Sequence, residues 1–432
     1  MKGSSRAVWI LGIVLVLLVL AAGCDYIPNR DVVVVKLAPD GSTEWTKTLD
    51  TGFDDNAQGI AELADRSLVV GGQSSRTKYY EYYSRLVRLS PGGEVEWDRA
   101  VPGATGEITA VLPAGDGDVA AVTMEGDLIR ADRNGSTVWV THVPIDSVWS
   151  LDAAPDGGFV LAGTRQDTIP FGSAVDFGPG GNITLREARP DENIPTPGCT
   201  VTMVPGPGGS VPVTMCTGPV MLVFQASLVK TDGSGTVAWQ QSYGGYGMES
   251  AWAVLATREG NYLLAGYDQG PLYSDSPDSV LDVALLDGNG SVIRVTGLER
   301  TEYFISPILR EVPGGYRMIY GKLADTGGSN RIEAEEADLD RDGQITGTRL
   351  LDTGIDVFPT SDGGFISVGF VAISGNLVYG DASGNLLHAR KFSADGTLEW
   401  DREIPGVKAN YVRQVIETSD EGYAVLAVRE NR

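Results

Sequence analysis

Two histidines, three cysteines and 57 acidic residues bound the chemistry that this 432-residue chain can carry. His142 and His388 stand far apart, so neither a histidine-based triad nor a zinc centre finds its ligands. No nucleophile elbow, Walker loop or dinucleotide-binding glycine signature occurs, and no cofactor is expected. Asp338-Leu-Asp340-Arg-Asp342-Gly343 has the spacing of a calcium loop, with alternate carboxylates and a glycine at the sharp turn. Its twelfth position is Arg349, where a bidentate Glu is needed, which leaves calcium the lesser reading of these three aspartates. A carboxylate pair for glycoside hydrolysis could be drawn from so many acids, but nothing in the pattern selects one. Tyr79, Tyr80, Tyr82 and Tyr83 cluster around one Glu and could offer a contact surface for protein or carbohydrate. The plainer alternative is that two of them simply begin a strand. Cys199 and Cys216 bracket two short β-prone runs separated by Pro-Gly-Pro-Gly-Gly. That is a hairpin with a cysteine at each open end, and in an oxidising compartment the pair is expected to form a disulfide.

The elements that must position these residues are short strands. Apolar runs alternate with Asp-Gly, Gly-Gly and Asn-Gly turns, whose residues adopt the positive φ that tight hairpins require. Ser227-Leu-Val-Lys-Thr-Asp-Gly-Ser-Gly-Thr-Val-Ala-Trp239 is one such hairpin, and Ala251-Trp-Ala-Val-Leu-Ala-Thr-Arg-Glu-Gly-Asn-Tyr-Leu-Leu-Ala265 is its companion. Hairpins of the first kind (strands c and d) carry turn glycines at Gly41, Gly93, Gly135, Gly235, Gly290, Gly343 and Gly396. Four residues on stands Trp45, Trp97, Trp139, Trp239 or Trp400, replaced by Arg294 and Gly347 in the fifth and sixth copies. Hairpins of the second kind (strands a and b) alternate with them, starting near residues 59, 108, 148, 251, 307, 355 and 412. A four-stranded unit recurring in an all-β chain predicts a β-propeller, here with seven blades.

The phase of the repeat sharpens this. The series begins on a c–d hairpin and ends on an a–b hairpin, so one blade assembled from both ends closes the ring without an orphan edge. The tryptophan at a fixed site per blade is expected to fill space between neighbouring sheets. The a–b and c–d turns are all short. The b–c connections are long and irregular, above all an insertion over residues 165–222, so binding is expected on the face that carries them.

The units resemble the extracytoplasmic propeller repeats of bacteria and archaea, of the form DGGYIVAGYT…LVKLDSNGNIQW. The best copies are Val148–Gly163, Ser227–Tyr267 and Ile355–Gly369. More distantly they are similar to PQQ-like and WD40-like repeats. The resemblance implies the fold, export and surface attachment, and no settled activity. The first residues agree with it: Lys2 and Arg6 precede an apolar run from Ala7 to Ala22 that is too short to span a membrane comfortably. Leu20-Ala-Ala-Gly-Cys24 resembles a lipoprotein cleavage box, which implies lipidation of Cys24 after removal of residues 1–23; an uncleaved signal anchor is the alternative. Residues 24–30 would then form a tether and 31–432 the propeller. The net charge of −24 repels a phosphate backbone, so nucleic acid is not expected as a partner. Membrane lipid, through the anchor, and an envelope protein or glycan are. The expected function is a membrane-anchored extracytoplasmic binding or scaffold propeller, non-enzymatic; the alternative is a propeller enzyme acting on glycans or a quinone-linked substrate with carboxylates at the channel mouth.

Overall fold

A computed structural model describes residues 29–77, 81–170, 173–177, 183–187, 199–206, 209–216, 220–243, 249–268, 279–301, 307–325, 330–351, 357–371, 377–378, 387–407 and 409–431. They form an all-β, seven-bladed propeller with four antiparallel strands in each blade. Strands a to d run Asp55–Glu62, Leu68–Ser75, Tyr82–Leu89 and Val95–Ala100 in blade 2, and Ile108–Pro113, Val119–Thr123, Asp127–Ala131 and Thr137–His142 in blade 3. Blade 4 uses Ser147–Ala153, Phe159–Pro170, Val220–Thr231 and Val237–Tyr243; blade 5 uses Glu249–Ala256, Tyr262–Asp268, Ser279–Leu286 and Val292–Thr301. Blade 6 follows with Ile308–Val312, Gly315–Asp325, Asn330–Asp340 and Ile345–Leu351. Blade 7 has Val357–Pro359, Phe365–Val371, Leu387–Phe392 and Leu398–Ile404.

Blade 1 is the closure. Its c and d strands come from the N-terminal side (Asn29–Leu37, Thr43–Leu49) and its a and b strands from the C-terminal end (Tyr411–Glu417, Tyr423–Asn431). The seam is continuous antiparallel pairing from Asn29 opposite Asn431 to Leu37 opposite Tyr423. This is the closure that the phase of the repeat demands.

Seven separate apolar cores hold the ring, one in each gap between neighbouring blades. The Val32–Val35 run shows why. Side chains alternate across a strand; Val32 and Val34 enter the core shared with blade 2, while Val33 and Val35 enter the core shared with blade 7. A strand buried on both faces needs no polar residue, hence four consecutive valines. The d strands are the outer edge and alternate instead, as in Thr-Glu-Trp-Thr-Lys-Thr-Leu, with charges discouraging further strand addition.

The tryptophans seal five of the seven gaps on one face. Trp45 of blade 1 packs against the c–d turn of blade 2, where a Cβ on Gly93 would come within 2.7 Å of the indole. Its Nε1 donates to the Pro91 carbonyl at 2.9 Å. Trp97 and Trp400 donate in the same way to the Arg133 and Pro39 carbonyls, each two residues before a turn glycine. Beneath the indole lies a second repeated device. Lys36, Arg88, Lys230 and Lys391, all buried, stand directly opposite Trp45, Trp97, Trp239 and Trp400 on the neighbouring strand. Each reaches back to an aspartate in its own blade's a–b turn: Asp420, Asp65, Asp156 and Asp362 respectively. Burial works against the Asp362 carboxylate, but the Lys391 ammonium, the Thr360 hydroxyl and the Gly364 amide outweigh it and hold its pKa down to about 2.

Candidate binding surface at the loop-bearing mouth of the ring

Strand a of every blade is innermost, and a strands meet a strands around the ring. Five of them carry a β-bulge near the start, at Gln58, Thr109, Trp149, Trp252 and Arg413. A bulge inserts one residue and re-aims its side chain. Because a strands start on the face that carries the b–c and d–a connections, all five sit at one mouth of the ring. All five are half-buried.

The mouth is chemically divided. On blades 4 and 5, Trp149 and Trp252 stack nearly parallel, with centroids 4.9 Å apart and planes at 9°. Tyr267 meets Trp252 edge-on, and Trp149 Nε1 donates to Thr164 Oγ1 at 3.4 Å. On blades 1 to 3 the mouth is ionic. Arg30 clamps Asp54 through Nε at 2.8 Å and Nη2 at 2.6 Å, and the Tyr82 hydroxyl donates to the same carboxylate at 2.8 Å. Burial disfavours the Asp54 charge, yet Arg30 and Tyr82 together pull its pKa below the usual carboxylate range. One residue on, Asp55 is fully enclosed, bonded by Ser74, Arg85 and the Thr51 amide. There burial prevails and the pKa rises.

Two further carboxyls are held above their ordinary range. Glu107 accepts from Asn56 Nδ2. Burial pushes its pKa up, against the opposing pull of Gln58, Arg413 and Arg30. Glu125 is pushed up by burial and then by repulsion from Glu107 and Asp127. Its carboxyl lies against Gly106, whose φ of +80° is one that residues with a side chain rarely adopt. Asp127 in turn accepts from the Thr105 amide at 2.8 Å and faces His142 Nδ1 at 3.0 Å. The Arg413 guanidinium lies 5.2 Å over the Tyr411 ring. Such a mouth can grip a ligand that has a flat or apolar part for the tryptophans and hydroxyl or cationic groups for the acids.

Of the residues singled out in the sequence, Tyr82 and Tyr83 begin strand c of blade 2. Tyr82 is exposed and joins the Asp54 cluster, while Tyr83 lies under the Arg76 guanidinium at 4.9 Å. Tyr79 and Tyr80 lie outside the described residues, as do Cys24 and the leader. Among the described residues no helix is long and apolar enough to cross a membrane. Cys199 and Cys216 are opposite one another in the register of a two-stranded hairpin, Cys199–Gly206 with Gly209–Cys216. Asp338 pairs with Arg317 at 2.8 Å, and the Asp340 carboxylate accepts from the Asp342 and Gln344 amides, the ordinary c–d turn. Among the described residues no group of three potential ligands is placed to hold a metal.

Sequence reasoning missed Glu107, Glu125 and the bulge ring. Trp149 and Trp252 did leave a signal, since both stand the same distance before an a–b turn, as do Gln58 and Arg413. The acids left none, for they belong to d–a and b–c connections with no common pattern.

No family model matches the chain, and no curated protein matches it. Among solved structures, the crystal structure of BamB from Moraxella catarrhalis is similar over 91% of this chain and 91% of that one, with 14% identity and a TM-score of 0.42. The Dos1 propeller is similar over 86% of this chain and 92% of that one, with 11% identity and a TM-score of 0.42. The propeller assignment itself stands on the strand pairing and the seven inter-blade cores.

Proposed function

We propose that this protein is an exported, membrane-tethered binding propeller that holds a partner on its loop-bearing face without catalysing a reaction. The observation that carries this reading is the arm of blade 4. Strands b and c of that blade stay paired over Arg165–Pro170 and Val220–Gln225, beyond the last pairing of their neighbours at Thr164 and Ala226. Six extra pairs at about 3.3 Å each project the hairpin roughly 20 Å from the blade. Two more hairpins, Ser173–Phe177 with Ile183–Glu187 and the Cys199–Cys216 pair, extend the insertion. A propeller with a long arm beside a divided aromatic and ionic mouth suits capture of a partner. The direct pairing of Cys199 with Cys216 supports a disulfide that braces the arm.

Strand c of blade 1 starts at Asn29 on this same face. Four residues separate it from Cys24, and the five Cα steps span at most about 18 Å. A lipidated Cys24 would therefore turn the mouth and arm towards the membrane, which suits an envelope partner held there.

Crosslinking from membranes with the full chain and with residues 165–222 replaced by a short turn tests this. The partner should be recovered with the full chain and at least about tenfold less with the deletion, while the melting temperature of the ring stays unchanged. Equal recovery would overturn the reading.

A second reading rests on Glu107, which is half-buried, and Glu125, which is exposed: both carboxyls are raised in pKa, Glu125 partly by repulsion from Glu107, as in the acid and base of glycoside hydrolysis. Release of reducing ends from envelope glycans, abolished in Glu107→Gln, would establish it; no release by the native protein would end it.

A further inference from the structure

On the opposite face, one gap between blades is unlike the others. In five gaps a tryptophan of one blade covers the turn glycine of the next. A Cβ on Gly93, Gly135, Gly235, Gly290 or Gly41 would fall 2.7, 2.8, 2.7, 2.9 and 2.6 Å from Trp45, Trp97, Trp139, Trp239 and Trp400. Between blades 5 and 6 the tryptophan is absent, but Leu285 fills the space, at 3.1 Å from the same point on Gly343. Between blades 6 and 7 nothing does. Gly347 replaces the tryptophan, a Cβ on it would meet no atom within 4 Å, and the nearest atom to a Cβ on Gly396 is an Arg349 nitrogen at 3.9 Å.

Beside this position lies a cavity of about 400 Å³. The a–b turn of blade 6 over residues 312–316 forms one side of it, and Arg317, Asp338 and Thr346 of blade 6 with Gly363 and Ala394 of blade 7 are among the rest of its lining. Its walls repeat those of the filled slots. Asp338 stands opposite Gly347 as Lys36, Arg88, Lys230 and Lys391 stand opposite their tryptophans. The cation is still present, supplied from strand b: Arg317 binds Asp338 at 2.8 Å and the Gly363 carbonyl at 2.8 Å. The acceptor is present too. The Ala394 carbonyl lies two residues before Gly396, as Pro39, Pro91 and Arg133 precede their glycines, and it now accepts from Arg349 Nη1 at 2.8 Å. A slot that lacks its indole but offers a guanidinium, here from strand b, and the carbonyl acceptor is a receptor for an indole. Burial of the ring and its attraction to the guanidinium would drive entry.

We infer that the gap between blades 6 and 7 binds an indole ring, free or borne by a tryptophan residue, with Arg317 beside the ring and its N–H displacing Arg349 from the Ala394 carbonyl. The site faces away from the arm and mouth, so it stands or falls independently of the function proposed above. Calorimetric titration of the full chain with indole and with N-acetyltryptophanamide tests it. Binding of indole alone assigns the slot to a small molecule; binding of both assigns it to a tryptophan side chain as well. Gly347→Trp fills the slot from within and should weaken either probe at least about tenfold while raising the melting temperature. Trp239→Gly, which opens a slot of the same construction between blades 4 and 5, is the control for detection, and indole should restore part of its lost stability. Rescue of Trp239→Gly with no binding to the native chain would overturn the inference, as would equal binding to native and Gly347→Trp.

Discussion

The gap between blades 2 and 3 and the gap between blades 6 and 7 are the same junction built twice, once with an indole over a strand-c cation and once with neither, its guanidinium coming from strand b. In the first, Trp97 is 7% exposed, bonded to the Arg133 carbonyl, and laid over the Arg88–Asp65 pair. In the second, Gly347 stands where the indole would be and Arg349 reaches across to the equivalent carbonyl. Both gaps close, because each also has its own apolar core deeper in, with Ile108 and Val119 at one and Phe365 and Phe392 at the other. The difference teaches that the ring is held by the inner cores and that the tryptophan layer is an addition to them, strong where present and dispensable once.

Trp97→Ala removes a nearly buried indole and its hydrogen bond, and should cost about 3–5 kcal/mol of unfolding free energy, read by urea denaturation. A loss below about 1 kcal/mol would mean that the tryptophan layer contributes no more than the open gap already shows.

A smaller effect is expected one layer down. Lys391→Met leaves the Asp362 carboxylate and the Phe392 carbonyl without their shared donor, and should cost about 1–2 kcal/mol at neutral pH. The folded Asp362 pKa, near 2, lies below its ordinary 3.8, so the pair stabilises above pH 3.8 and that contribution is lost as pH falls towards 2. The native protein should therefore lose more melting temperature than the variant between those values. Parallel curves would show that the pair is not what depresses Asp362.

The smallest effect belongs to the other face and has the opposite sign. The Glu107 pKa is raised above its ordinary 4.5, so its charge destabilises the fold at neutral pH and the protein gains stability as pH falls through the raised pKa. Glu107→Gln keeps an acceptor for Asn56, and should raise the melting temperature slightly at neutral pH and remove that gain. An unchanged pH profile would remove Glu107 from the set of shifted acids.

Much of the fold was legible because a propeller is written in local signals. Seven hairpins of each kind, their turn glycines and their tryptophans all lie within a few residues of one another. The seam between Asn29 and Asn431 could be inferred from phase alone, since a ring leaves no edge unpaired. Within the repeat, even the Lys391–Asp362 pair was open to reading, as a lysine or arginine on strand c and an aspartate in the a–b turn recur together and vanish together. In blade 5 the lysine's place holds Leu285, and neither that blade's turn nor the one in blade 6 has the aspartate.

The candidate sites were legible only in part, for a physical reason. Composition and pattern alone determined an all-β chain, its blade count, its closure and its acidic character, because these follow from periodicity and turn geometry along the chain. Which face is divided into tryptophans and acids, which carboxyls are pushed out of their normal range, and which gap stands open depend on contacts between residues far apart in sequence. Glu107 meets Asn56 across blades, Trp149 meets Trp252 across more than a hundred residues, and the cavity between blades 6 and 7 exists only once Gly363 and Ala394 close against blade 6. Only the tertiary structure decided those, because burial and desolvation are properties of the packed ring and not of any segment of it.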